Sequence, residues 1–150
     1  MRLLSIDYGT KSVGLALSDE LRLTARPLTT VRVHGKFRGH LIAEIKRYVT
    51  EFEVSEIVVG LPINMDGTSG EAAERVMKFV AELSIALKIP VHTIDERLTS
   101  YAAEERLRAT GAGAAERRSR SDEYAALIIL EDFLASSHAT ARPDQVDPLR

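Results

Sequence analysis

The chain contains no cysteine, so it has no disulfide, no thiolate nucleophile and no cysteine-ligated zinc or iron–sulfur centre. Its four histidines, His34, His40, His92 and His138, are scattered, without the paired spacing of a metalloprotease helix. No apolar run reaches the ~18–20 residues that a membrane-spanning helix requires. The N-terminus passes from Met1-Arg2 straight into an apolar run that ends in an acid, unlike a signal peptide, so a cytoplasmic protein with no membrane partner is expected. An excess of either charge is also missing: 20 basic and 22 acidic side chains leave a net charge of −2. Any electrostatic footprint for nucleic acid must therefore be local. What is present is ordinary for a globular chain, with 45% hydrophobic and 28% charged residues in 150 positions. That is one domain's length, enough to bury a core.

The organising stretch is the first one. Leu3 to Ile6 reads as a short strand that delivers the carboxylate of Asp7 at its end. Gly9 allows a tight turn, and Val13 to Leu17 returns as the second arm of a β-hairpin. A third, antiparallel strand is expected within Ala25 to Val33, starting after Pro27. Leu41, Ile42, Ile45, Tyr48, Val49 and Phe52 fall at helical spacing over about 39–52. Glu56 to Pro62 is a β-branched, buried strand. Ala73, Val76, Met77, Val80, Leu83 and Leu87 define a second helix, ended by Pro90. Val91 to Ile94 is a strand running into Asp95-Glu96-Arg97. Thr99 or Ser100 caps a helix through Ala109, and Gly111 and Gly113 break it. A basic link follows at Arg117, Arg118 and Arg120, after which Ser121 caps a last helix over about 122–135. The order β-β-β-α-β-α-β-α-α implies an α/β fold, a mixed sheet with helices on its faces. The expected division is a domain over 1–135 and a loose tail over 136–150.

Ligands in open α/β sheets favour the carboxyl ends of parallel strands. Asp7, Leu61-Pro62 and Asp95-Glu96 all lie at such ends. On the last helix Asp122, Ala125, Ala126, Ile129 and Phe133 share one face. The apolar members of that face pack on the sheet, so Asp122 also points inward, at what reads as the helix start. Clustered carboxylates repel one another unless a hard divalent cation neutralises them. Mg²⁺ or Mn²⁺ chemistry in phosphodiester hydrolysis needs neither cysteine nor a covalent nucleophile. Each acid also has a plain structural reading: Asp7 as a turn residue, Asp122 as a first-turn acid, and Asp95-Glu96-Arg97 as a local ion pair. Their convergence favours a site. Lys11, Arg97, Arg117, Arg118 and Arg120 are candidate backbone-phosphate contacts. The polar loop from Asn64 to Gly70 either cradles a phosphate or simply connects strand to helix.

Four motifs carry a resemblance: Asp7-Tyr8-Gly9-Thr10-Lys11-Ser12-Val13-Gly14, Val59 to Thr68, Asp95 to Ser100, and Asp122-x-x-Ala125-Ala126-x-x-Ile129-Leu130. In this order they resemble the YqgF (RuvX) family. The resemblance implies an RNase H-like fold related to RuvC-type Holliday junction resolvases. It further implies a bacterial cytoplasmic nuclease that matures the 5′ end of pre-16S ribosomal RNA, in contact with ribosomal particles. By motif, Asp7, Glu96 and Asp122 are the catalytic acids, and Asp7, Asp95, Glu96 and Asp122 the candidate ligands of Mg²⁺ or Mn²⁺. RuvC-type resolvases place an acid where this chain has Gly60-Leu61-Pro62, which leaves the choice between Asp95 and Glu96 open. Alternation along the strand puts the two on opposite faces, and Glu96 is preferred.

Two other classes compete. The first hairpin also resembles the phosphate-binding turn of actin-like ATPases and sugar kinases, but those close two such domains around a nucleotide. A non-catalytic nucleic-acid-binding module would gain nothing from acids that repel phosphate. Within the nuclease reading, branched DNA is the alternative to ribosomal RNA, because no base-reading element is visible.

Overall fold

A computed structural model of the chain describes residues 1–33, 39–64, 70–96 and 99–140. Nine elements follow in the expected order: β1 (Arg2–Tyr8), β2 (Ser12–Ser18), β3 (Ala25–Arg32), α1 (Gly39–Glu51), β4 (Val54–Pro62), α2 (Glu71–Leu87), β5 (Val91–Glu96), α3 (Thr99–Ala109) and α4 (Ala114–Thr140). The five strands form one sheet in the order β3-β2-β1-β4-β5. The two hairpin contacts, β1–β2 and β2–β3, are antiparallel, whereas β1–β4 and β4–β5 are parallel. Strand β1 is therefore central. Both its faces are covered, which is why Leu3 to Ile6 reads as a continuous run rather than an alternation.

The faces bury different cores. Leu4, Ile6, Val13, Leu15, Leu17, Ile57 and Val59 pack against Leu41 and Ile45 of α1 and Val76, Phe79, Val80 and Leu83 of α2. On the other face Leu3, Ala16 and Val58 meet Ala103 and Leu107 of α3 and the apolar stripe of α4. No helix among the described residues is long and apolar enough to cross a membrane.

Several boundaries differ from expectation. Strand β3 begins at Ala25 and contains Pro27, opposite Ala16, with the register shifting between Leu15 and Ala16. It is an edge strand, where a missing N–H is tolerated. Helix α2 ends at Leu87 because Lys88 adopts the left-handed conformation (φ 56°, ψ 33°) and its N–H closes on Ser84 O at 3.1 Å. Proline at position 90 lies beyond a stop already made.

The largest difference is α4. Arg117, Arg118 and Arg120 are not a basic loop, and Ser121 is not a cap: all lie inside a helix that starts at Ala114. Its first turn is marked by Arg117 N–H donating to Gly113 O at 2.9 Å. Alanine, glutamate and arginine are strong helix formers, and nothing between Gly113 and Asp122 breaks the turn. Side chains reinforce it, with Arg120 reaching Glu116 at 3.4 Å and Glu123 at 2.7 Å. At its other end α4 continues to Thr140, past the expected boundary at 135; residues 141–150 lie outside the described residues.

Helix α4 crosses the sheet over a track of small residues. A β-carbon on Gly14 would stand 1.8 Å from Asp122 O. Buried Ser5 donates its hydroxyl to Ala126 O at 2.6 Å. A β-carbon on Gly60 would stand 2.5 Å from Ile129 Cδ1. Close approach of α4 to the sheet thus runs from β2 across β1 to β4. The obstacle at Gly14 is backbone, so Gly14→Ala has to displace helix or strand. The expected cost is ~2 kcal/mol or more of unfolding free energy, read by urea denaturation. An unchanged midpoint would show that the approach is looser than described.

Candidate active site

Asp7 shares the parity of Leu3 and Ser5 along β1 and so faces α4. Its partner across the hairpin is Gly14, the residue on which the main chain of Asp122 rests. The two acids therefore meet because glycine lets α4 touch the sheet beside Asp7. Ser12, the first residue of β2, donates its hydroxyl to Asp122 Oδ2. Burial first, and then the neighbouring Asp122 carboxylate, push Asp7 up to about 7.

Glu96 reaches the same face from β5. Ile94, two residues earlier, packs with the α4 core, and a β-carbon on Gly60 would lie 3.5 Å from Glu96 Cγ. Glu96 Oε2 accepts the Thr99 hydroxyl at 2.8 Å. Its Oε1 is buried and has no hydrogen-bond partner among the described residues. Burial is the main cause that pushes Glu96 up to about 7; the Asp132 carboxyl and the charge of Asp7 add to it, and the Thr99 hydroxyl opposes it. A hydrogen bond between the Asp132 and Glu96 carboxyls requires that one of the two be protonated and donate.

Asp122, Asp7, Glu96 and Asp132 thus form a chain of acids along the carboxyl edge, each coupled to the next. Among the described residues no three acid or histidine side chains already converge tightly enough to hold an ion. The donor set nonetheless fits a hard cation. Every ligand is a carboxylate oxygen, one is buried without a partner, and mutual repulsion with burial holds two of the acids near neutrality. Asp95 is not brought to this cluster. It pairs in register with Leu61, whose side chain packs on the α1/α2 core, and so stands on the other face, exposed.

The expected cations fare unequally. Lys11 is exposed in the hairpin turn next to Ser12. Arg117 donates Nη1 to Ala112 O at 2.7 Å. Arg120 is held by Glu123 and Glu116 and lies over the Tyr124 ring at 5.1 Å. Arg118 is exposed; its carbonyl accepts the Ser121 hydroxyl at 3.5 Å, but its guanidinium has no hydrogen bond or ion pair among the described residues. Asn64 follows β4, with its amide against Gly70, and the adjoining Ile63 N–H donates to Glu96 O at 3.3 Å. Arg97 and residues 65–69 lie outside the described residues. Two aromatic groups are packing elements: His92 stacks on Phe133 at 5.6 Å, and Tyr8 on Phe79 at 4.1 Å.

Ser12, Thr99 as a ligand of Glu96, and Asp132 are absent from the sequence reading. Asp132 had a legible signal, since it lies three residues after inward-facing Ile129. Thr99 had one too, lying three residues after Glu96, whereas the Ser12–Asp122 contact had none, because it joins residues remote in the chain.

The mixed sheet with helices on both faces is an RNase H-like fold. RuvC of Thermus thermophilus in complex with a Holliday junction substrate superposes with a TM-score of 0.59 over 95% of this chain and 99% of that one, at 18% identity. The Fowlpox virus resolvase in its Holliday junction complex gives a TM-score of 0.56 over 91% and 99%, at 10% identity. At such identities the likeness establishes the fold. The family follows from sequence: the model of RuvX, described as Holliday junction resolvase, matches residues 1–136, and the chain belongs to the RuvX family. A relative from Anaeromyxobacter sp. (strain Fw109-5) is 45% identical over 139 residues, covering 93% of this chain and 100% of its own. Another, from Chloroflexus aurantiacus (strain J-10-fl), is 46% identical over 132 residues, covering 88% and 85%. Both carry the name "Putative pre-16S rRNA nuclease". In coarse terms these matches support a nuclease.

Asp7 titrates near 7 when folded but near its ordinary 3.8 when exposed. Its raised value means that the folded state binds the proton more tightly. That stabilisation is full below about 4 and is lost as pH rises through 7, by up to about 4 kcal/mol. Glu96 shifts in the same sense. In EDTA the wild type should melt at lower temperature at pH 8 than at pH 5, and Asp7→Asn should flatten that dependence. Melting curves across pH test this; a mutant that is the less stable protein at pH 8 would refute the buried, repelled state of Asp7.

Proposed function

We propose that this protein is a metal-dependent nuclease that hydrolyses phosphodiester bonds, acting in maturation of the 5′ end of pre-16S ribosomal RNA in the bacterial cytoplasm. The observation that carries the reading is the meeting of Asp7, Asp122 and Glu96, from three remote parts of the chain, at one sheet edge. Two of these acids are held near neutrality by burial and mutual repulsion, a state that calls for a counter-cation. Asp7, Glu96 and Asp122 would hold Mg²⁺ or Mn²⁺, which supplies positive charge to the phosphate undergoing attack.

The chain's own groups prepare the site. Ser12 and Thr99 each engage one oxygen of an acid and limit its rotation. Glu96 Oε1 remains the carboxylate oxygen without a hydrogen-bond partner among the described residues. Lys11, Asn64 and Arg97 contact the backbone of the bound strand. The choice of RNA is supported by the names of the relatives. Resolution of branched DNA is the second reading, favoured by the family's description.

The test is cleavage of a labelled pre-16S leader RNA and a synthetic four-way DNA junction. Each is incubated with Mg²⁺, Mn²⁺ or EDTA, using wild type and Asp122→Asn. We expect metal-dependent cutting of the RNA, reduced at least ~100-fold in the mutant. Cutting of the junction alone would retain the site and change the substrate. Binding without cutting would leave a nucleic-acid-binding module.

A further inference from the structure

Nucleic acid must approach four carboxylates on a chain whose net charge is −2, so the strand needs local cations beside the acids. Arg117, Arg118 and Arg120 supply three in little more than one turn of α4, and the structure separates their roles. Arg120 is occupied within α4 by Glu116 and Glu123, and Glu123 is buried and linked to Thr30 of β3 at 3.4 Å. Its guanidinium therefore fixes α4 on the sheet. Arg117 gives one N–H to the carbonyl of Ala112 and so closes the α3–α4 connection. Arg118 makes no such contact among the described residues.

Arg118 also stands in the right place. It precedes Asp122 by four residues, one turn away on the same side of α4. Beside it, between α3 and α4, lies an open cavity of about 360 Å³ lined by Glu104, Ala114, Arg117, Arg118 and Ser121. The acid in this lining, Glu104, is paired with Arg108 at 3.4 Å. Ser121, which lines the cavity, immediately precedes the acid that meets Asp7. The cavity is thus one residue along α4 from Asp122, and exposed Lys11 precedes Ser12, whose hydroxyl holds Asp122.

We propose that the α3–α4 cavity is a second phosphate subsite, in which Arg118, with Arg117 and Ser121, binds a backbone phosphodiester of the strand next to the one at the acids. The assignment rests on the nuclease reading for its ligand class, a nucleic-acid strand, but not on catalysis. It also gives the strand a direction across the molecule, from the hairpin turn past Asp7 and Asp122 to the cleft between the last two helices.

The test is binding without cleavage: fluorescence anisotropy of the full chain in EDTA, titrated over a range of salt, with the leader RNA and the four-way DNA junction as separate probes. Arg118→Ala is expected to weaken binding on the order of tenfold at low salt. It should also flatten the salt dependence by about one phosphate contact. Arg118→Lys should restore the salt dependence. Arg47→Ala removes the same charge from α1, on the other face of the sheet, and should leave the slope unchanged. Inorganic phosphate should weaken binding by wild type and Arg47→Ala, at equal ionic strength, at least as much as chloride. Loss on one probe alone identifies the strand the subsite serves. An Arg118→Ala protein with an unchanged slope, a loss matched by Arg47→Ala, or a wild type that binds neither probe would each overturn the subsite. If Arg118→Ala binds as expected but wild type cuts neither probe in Mg²⁺ or Mn²⁺, the subsite stands and the nuclease reading falls.

Discussion

Helix α4 rests on the sheet main chain to main chain at Gly14, where a β-carbon would stand 1.8 Å from a helix carbonyl. The site depends on that contact. Gly14 is the hairpin partner of Asp7, so the helix residue seated on it is necessarily Asp7's neighbour. Had β2 carried a larger residue there, α4 would ride higher and Asp122 would be carried away from the strand edge. Ser5 and Gly60 extend the same approach along the helix, through a hydrogen bond to Ala126 and a packing contact with Ile129. The small residues that look like gaps in the apolar pattern are the seats of the helix that carries Asp122.

The price of this arrangement is electrostatic. Packing brings carboxylates together in a partly buried edge, where desolvation and like charge both oppose ionisation. Hydroxyls from Ser12 and Thr99 satisfy part of the demand, and Glu96 Oε1 is left without a donor among the described residues. In the proposed function such an edge, uncomfortable when empty, would couple the binding of a hard cation to its own stability. The basic face of α4 answers the remaining problem, which is how a polyanion comes near so many acids. One arginine anchors the helix, one closes the preceding turn and one stays available.

Much of the fold was legible because its signals are local. Element order and most boundaries follow from periodicity, from β-branched runs and from glycine and proline breaks. The exception at Arg117–Ser121 is instructive. A dense run of charge resembles a solvated loop, yet arginine and glutamate are good helix formers, and side chains three and four residues apart pair only once the helix exists. The expectation that Asp122 sits at a helix start fails for the same reason, although its inward direction holds, because its i, i+3, i+4 relation to Ala125, Ala126 and Ile129 is independent of where the helix begins.

By itself the sequence determined the mixed sheet, the first strand with Asp7 near its end, the inward face of the last helix and the family, since each rests on residues close together in the chain. It narrowed the middle acid to Asp95 or Glu96 without seating either. Tertiary structure decided the rest. Strand parity in the assembled sheet turns Glu96 towards α4 and Asp95 away; Ser12, Thr99 and Asp132 become partners of the acids; and Arg118 is distinguished from its neighbours. The physical reason is that carboxylate environment, hydroxyl partnership and the availability of a cation are properties of groups brought together through space, across separations that no local pattern encodes.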